Sequence, residues 1–232
     1  MIKERLTRGT LFYKIYLYYQ LYFRYKIFYK KKNYSQFDED LFIKDFFLNK
    51  APGKFVDIGC FHPIRYNNTY LLYKSGWRGV NIDLNPVCID MFNIIRKNDK
   101  NICSVIGEKN ENVKVYIEHL FSAANTTDKE IYEKDQKKNK LFKNIINSKM
   151  RKFDDIVKEK FDFLNIDVEG FDFQILKQLI PKKINPELIS IETHDVDGSK
   201  LLDCDKINEL LIQNNFITLK RVGPTTLFQS KH

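Results

Sequence analysis

Phe55-Val56-Asp57-Ile58-Gly59 decides the fold. It is a short apolar run that ends in a carboxylate and a glycine. In open α/β sheets, ligands sit beyond the carboxyl ends of the strands, so an acid and a permissive glycine there read as a strand entering a ligand-facing loop. The pattern recurs in Gly79-Val80-Asn81-Ile82-Asp83, in Phe161-Asp162-Phe163-Leu164-Asn165-Ile166-Asp167, and over 187–192, which ends at Glu192. Four strands therefore end in acids: Asp57, Asp83, Asp167 and Glu192.

Helical segments alternate with these strands. Ser35 reads as an N-cap, with Asp38, Glu39 and Asp40 in a first turn whose dipole favours acids. That helix carries Leu41, Phe42, Phe46 and Phe47 and stops before Pro52-Gly53. Further helices are expected over 68–75, after Pro86, after Asp167 and over 202–214. A third strand is read over 102–106 and a short extra one over 113–117. Residues 126–152 are rich in Lys, Glu and Asn, and read as a solvated helix or a mobile lid. Strands over 216–221 and 225–229 flank Gly223-Pro224 as a closing antiparallel hairpin. The expected fold is α/β, a Rossmann-like, mostly parallel sheet with an antiparallel C-terminal hairpin, preceded by a basic aromatic helix.

The chain has 232 residues, a net charge of +9 and 43% hydrophobic content, enough for one large domain and too apolar for a disordered tail. Its charge is lopsided. Residues 1–33 hold nine Lys/Arg against Glu4 alone, which makes that arm +8 and leaves residues 34–232 at +1. The basic pI belongs to the arm, so net charge gives no reason to expect nucleic acid on the domain. The domain boundary is drawn there, with an arm at 1–33 and a domain at 34–232. The arm carries ten Phe/Tyr from Phe12 to Tyr29, and its longest uncharged run, 15–23, is nine residues. A membrane span needs about 20, so 11–30 reads as a segment for a membrane surface, for the domain itself or for a second copy. No cleavable leader is evident, and Cys60, Cys88, Cys103 and Cys204 are too scattered for a zinc site. A cytoplasmic protein, with peripheral membrane contact through the arm as an option, is the expectation.

Asp83 follows Asp57 by 26 residues, close to the roughly 20 at which a carboxylate takes ribose hydroxyls. Yet Cys60, Phe61, His62 and Pro63 follow Gly59, so there is no glycine-rich pyrophosphate loop, and no P-loop occurs elsewhere. What remains is a nucleoside ligand without a pyrophosphate, and S-adenosylmethionine fits.

Several blocks then resemble the FkbM-type S-adenosylmethionine-dependent methyltransferases. Ser35-Gln36-Phe37-Asp38-Glu39-Asp40 resembles a SQxGED segment, with Asp38 where glycine is usual. Val56-Asp57-Ile58-Gly59-Cys60-Phe61-His62-Pro63 resembles the VDIGA block, and Asn67-Asn68-Thr69-Tyr70-Leu71-Leu72 with Gly76-Trp77-Arg78-Gly79 the two blocks after it. Ile82-Asp83-Leu84-Asn85-Pro86 resembles IEPxP, Ile166-Asp167-Val168-Glu169-Gly170 is IDVEG unchanged, and Ile191-Glu192 matches the final I-E strand. The resemblance covers roughly 34–229. It implies a class I methyltransferase fold with a seven-stranded sheet, and transfer of a methyl group to a hydroxyl of a glycan, glycolipid or small natural product.

By position it implies that Asp57 and Gly59 lie by the methionine part of the cofactor, Asp83 by the ribose and Ile106-Gly107 by the adenine, with Cys60, Leu84 and Asn85 as further cofactor-binding candidates. Asn68 and Thr69 open the next helix as cofactor contacts or simple caps. Methyl transfer to an alcohol needs an aligned oxygen and a proton acceptor. The catalytic candidates are Asp167, Glu169 and His194, with His62 behind them. No resident metal is expected, although Asp167, Glu169 and Asp195 have oxygen ligands that would suit magnesium. A glycan or small-molecule acceptor is expected, and no nucleic acid. Two other readings stay open: a non-catalytic module on a methyltransferase scaffold, and a nucleic-acid or protein methyltransferase.

Overall fold

The computed structural model describes residues 7–24, 31–119, 122, 125–138, 141–168, 170–180 and 185–231. The strands are β1 Lys54–Ile58, β2 Arg78–Asp83, β3 Lys100–Cys103, β4 Val105–Ile106, β5 Glu111–Ile117, β6 Asn125–Thr126, β7 Asn144–Arg151, β8 Phe163–Ile166, β9 Leu188–Glu192, β10 Phe216–Val222 and β11 Thr225–Ser230. The helices are α1 Leu11–Tyr18, α2 Glu39–Phe46, α3 Tyr70–Lys74, α4 Pro86–Ile95, α5 Lys129–Lys138, α6 Phe153–Ile156, α7 Asp172–Leu179 and α8 Cys204–Gln213. A π-helical turn, Tyr19–Arg24, extends α1.

Seven strands form one sheet in the order β10-β11-β9-β8-β1-β2-β3. The pairs β8–β1, β1–β2, β2–β3 and β8–β9 are parallel, whereas β11 runs antiparallel to both β9 and β10. This is the seven-stranded, class I arrangement that the resemblance implies, with its antiparallel hairpin at the C-terminal end.

Strands that are apolar throughout need cover on both faces. Val56, Ile58, Leu164 and Ile166 point to one face, packed under Phe153, Ile175, Leu176 and Leu211 of α6, α7 and α8. Phe55 and Phe163 point to the other, under Ile43 and Leu72 of α2 and α3 and the rings of Phe47 and Trp77, 4.7 Å apart. Each such fully buried side chain contributes about 1.5–3 kcal/mol.

The third strand differs from the expected 102–106. It is divided at Ser104, whose buried hydroxyl donates to Lys149 O at 2.9 Å. The chain there leaves the main sheet and enters a second one, of order β4-β7-β5-β6. Residues 126–152 also depart from the helix-or-lid reading. A solvated α5 is present, but β7 follows and pairs antiparallel with β5 along its whole length. Ser35 is not the residue that precedes α2; Asp38 is, at φ 73°. Ser35 still serves the first turn, because its hydroxyl accepts from Asp40 N at 3.3 Å and donates to Asp40 Oδ1 at 2.7 Å.

Candidate functional site

The site forms where β1, β2 and β8 end. Gly59 has φ +81°, a left-handed conformation that favours glycine. Its N–H and that of Cys60 donate to Ile82 O at 2.9 and 3.2 Å. A Cβ on Gly59 would lie 1.7 Å from Asp167 O, so only hydrogen fits between these strand ends. Asp83 closes β2 with its carboxylate held by two backbone donors, Asn85 N to Oδ1 at 2.7 Å and Phe61 N to Oδ2 at 2.9 Å. Burial pushes its carboxyl up to about 6 despite those donors, so at neutral pH it is ionised and needs partners.

Asp57 occupies a different place. It is level with Asn81, two residues deeper in the sheet than Asp83. Its carboxylate accepts from Thr69 Oγ1 at 2.8 Å, Asn165 Nδ2 at 2.9 Å and Asn67 Nδ2 at 3.3 Å. Above it lies Arg96, fully buried at the end of α4. The guanidinium donates to Pro63 O at 3.1 Å, Thr69 Oγ1 at 2.7 Å, Asn81 Oδ1 at 3.3 Å and Asn67 Oδ1. The rings of Phe92, Tyr73 and Tyr70 lie 5.0, 5.3 and 5.5 Å from it. Burial raises the Asp57 carboxyl and lowers the Arg96 guanidinium, while each charge opposes the other's shift. The network fixes the loop from Cys60 to Thr69. In that loop Phe61 and Tyr66 are left-handed, at φ 50° and 49°. His62 accepts from Ile64 N and Arg65 N through Nδ1, and burial lowers its pKa to about 3, so it is neutral and structural.

Above these strand ends is a cavity of about 520 Å³. Its main-sheet wall carries Gly59, Asp83, Leu84, Asp167 and Glu192. The small sheet supplies Glu111, Asn125, Thr126 and Met150 opposite. Gln36, before α2, and Glu39, its first residue, close it beside Pro224 of the final turn and Thr225, the first residue of β11. That junction is tight: a Cβ on Gly223 would lie 2.6 Å from the Phe37 ring, and Thr225 Oγ1 donates to Glu39 Oε1 at 3.5 Å. Six carboxylates line the cavity among the described residues (Glu39, Asp83, Glu108, Glu111, Asp167 and Glu192) against one amine, Lys109. It is a strongly anionic space.

Of the residues singled out from sequence, Gly59, Asn68, Asp83, Leu84, Ile106, Gly107 and Asp167 line this cavity. Asp57, Cys60, Thr69 and Asn85 do not; they are buried behind it and hold the residues that do. Asn85 Oδ1 accepts from Val87 N at 3.0 Å and so caps α4. Asn68 Nδ2 donates to Asn165 Oδ1 at 3.0 Å, and the residue preceding α3 is Thr69. His194 lies outside the cavity lining, its Nδ1 2.8 Å from Thr193 Oγ1. Glu169 lies outside the described residues. Asp195 is exposed and off the cavity, and no group of three metal-ligating side chains gathers among the described residues. Sequence reading passed over Gln36, Phe61 and Tyr66 as cavity residues, and Arg96 altogether.

A family model described as the methyltransferase FkbM domain matches residues 57–218, more than half of the chain. The chain belongs to the FkbM methyltransferase family. The matched range begins at Asp57 and takes in the strand ends and the small sheet, so the cavity lies largely within the family domain. The crystal structure of an FkbM methyltransferase from Methylobacillus flagellatus KT is 16% identical, with a TM-score of 0.49, over 77% of this chain and 43% of its own. The chain thus spans less than half the length of that structure. A TehB-like SAM-dependent methyltransferase from Corynebacterium glutamicum ATCC 13032 Kitasato is 13% identical, with a TM-score of 0.49, over 92% of this chain and 96% of its own. No curated protein matches the sequence.

Proposed function

We propose that this FkbM methyltransferase transfers a methyl group from S-adenosylmethionine to a hydroxyl of a glycan, glycolipid or small natural product. The observation that carries the reading is the anionic cavity at the carboxyl ends of β1, β2 and β8. It fits the cofactor in three ways. Gly59 allows close approach to the backbone, Asp83 offers an ionised carboxylate to paired ribose hydroxyls, and Leu84, Ile106 and Gly107 offer surface to the base. The surplus of carboxylates also complements the positive charge of a sulfonium. When bound, S-adenosylmethionine would supply an electrophilic methyl carbon on sulfur, with the neutral thioether of S-adenosylhomocysteine as the leaving group.

The protein's own part is positioning and proton removal. Asp57 and Arg96 keep the Cys60–Thr69 loop in one conformation, and Asn68, whose amide donates to Asn165 Oδ1, lines the cavity. Asp167 follows the central strand directly and is the assigned proton acceptor as the acceptor hydroxyl bonds to the methyl carbon. Glu39 and Glu192 are further carboxylates that can accept hydrogen bonds from sugar hydroxyls. The same lining repels a polyphosphate backbone, which argues against nucleic acid as acceptor. Glu169 and His194 are the alternative bases; His194 would need to turn into the cavity.

Calorimetric titration of S-adenosylhomocysteine into the protein and into Asp83→Ala tests the cofactor assignment. Micromolar binding that weakens tenfold or more in the variant, about 1.4 kcal/mol, is the expected result. No heat in a protein shown to be folded overturns it. Transfer of labelled methyl to sugar alcohols but not to matched amines, abolished in Asp167→Asn, is expected for the acceptor class.

A further inference from the structure

The arm has two opposite faces, and the fold uses one. Thr10 caps α1, accepting from Tyr13 N at 3.3 Å. Arg8 forks onto Asp90 of α4 at 2.6 and 2.7 Å, and the Tyr13 hydroxyl donates to the same carboxylate at 2.7 Å. Tyr13, Leu17 and Leu21 are buried against Val87 and Met91. The helix is thereby held in one rotation. Positions 12, 15, 19 and 23, with 11, 18 and 22 beside them, face away from that seam. Leu11, Phe12 and Phe23 are 70%, 77% and 68% exposed, and Ile15, Tyr18, Tyr19 and Tyr22 are exposed too. A contiguous ring-rich surface of this kind on a water-soluble domain marks an interaction site.

We propose that this outward face of α1 and the π-helical turn lies on an anionic lipid surface. Charge identifies the occupant. The arm carries +8 and the remainder of the chain +1, so a second copy would set two strongly cationic segments against each other, whereas a bilayer bearing acidic headgroups complements them. Lys14, Arg24, Lys31 and Lys32 are all exposed along the arm. Apolar and aromatic side chains flanked by Lys and Arg suit the boundary between headgroups and acyl chains. The longest uncharged run of the arm, 15–23, is nine residues, well short of the about 20 that a span needs. No helix among the described residues is long and apolar enough to cross a membrane.

Flotation of the full chain with vesicles tests this, using phosphatidylcholine alone and phosphatidylcholine with about one-third phosphatidylglycerol. Binding to the anionic vesicles, at least tenfold weaker to the neutral ones and falling with added salt, is expected. Phe12→Ser/Ile15→Ser/Phe23→Ser should lower partitioning at least tenfold at an unchanged unfolding midpoint, and each of Lys31→Gln and Lys32→Gln by roughly fivefold. An Ile15→Trp reporter, read by its blue shift and by quenching from brominated lipid, gives an answer that needs no triple variant. Absence of flotation together with an unshifted reporter overturns the proposal. So does equal binding by a folded triple variant. A concentration-dependent dimer lost in that variant without vesicle binding would assign the face to a second copy, and salt-sensitive binding of single-stranded RNA without vesicle binding would assign it to nucleic acid.

Discussion

On one side of the cavity, β1, β2 and β8 end on a buried polar network in which Asp57, Asn67, Thr69, Asn81 and Arg96 satisfy one another. On the other side, β5 and β7 pair along their length; β5 buries Val115, Tyr116 and Ile117, but most of β7 is exposed or half-buried, and Tyr116 stacks on Tyr132, 4.1 Å apart. The first wall offers one shape, because a buried polar group denied its partner costs the full desolvation penalty. The second is covered less along β7, so fewer buried groups there oppose a small shift. A fixed wall suits the proposed cofactor, and a more yielding one suits the proposed acceptor.

Substitutions can break this contrast. Arg96→Met should do most, because it strands Asp57 in the interior; a loss of about 3–5 kcal/mol in urea unfolding is expected. Arg96→Lys should recover little, since an ammonium cannot reproduce the guanidinium fork. A mild effect would mean that the network does not hold the wall. Gly59→Ala forces a Cβ onto the Asp167 carbonyl at positive φ, and should cost at least about 3 kcal/mol together with all binding of S-adenosylhomocysteine.

The next effect depends on pH. His62 has a folded pKa of about 3 against about 6.5 unfolded. Above pH 6.5 it contributes nothing; as pH falls below that, the unfolded chain takes a proton the folded chain refuses, and stability drops by about 1.4 kcal/mol per unit. Asp83 acts with the opposite sign. Its folded pKa of about 6 exceeds the unfolded value, so stability rises as pH falls from 6 towards 4. His62→Asn keeps an acceptor for the loop amides and removes only the first effect. Its stability gap to the wild-type protein should close by about 2 kcal/mol between pH 6.5 and 5 in pH-resolved unfolding curves. The smallest effect belongs to the other wall: Tyr132→Ala should cost about 1 kcal/mol and leave S-adenosylhomocysteine affinity within twofold. A large loss of affinity would show that the small sheet is not the looser wall.

The main sheet was legible because its strands are short apolar runs that end in an acid or glycine. The same local pattern hid a distinction. Asp57 and Asp83 read alike, yet one is a pleat deeper and turned into the protein, and only the parallel register reveals which. Arg96 gave no signal, because a lone arginine at a helix end carries nothing about a carboxylate 39 residues earlier. β7 was missed for another reason. Its better-covered positions are Ile146, Ser148 and Met150, and a serine in the middle erases the apolar alternation that marks a strand. The arm was half legible: its rings and charges stood out, but which rings face the domain depended on Asp90, a residue of a different helix.

The rim of the cavity joins Gln36 and Glu39 to Pro224 and Thr225. A ribosome adds about 5–20 residues each second, so the second half of that rim is made roughly 10–40 s after the first. At the end of that interval β9 has been made and has no β11 to pair with, and the pocket is open along one side. The rim therefore closes only once the hairpin of β10 and β11 has been made.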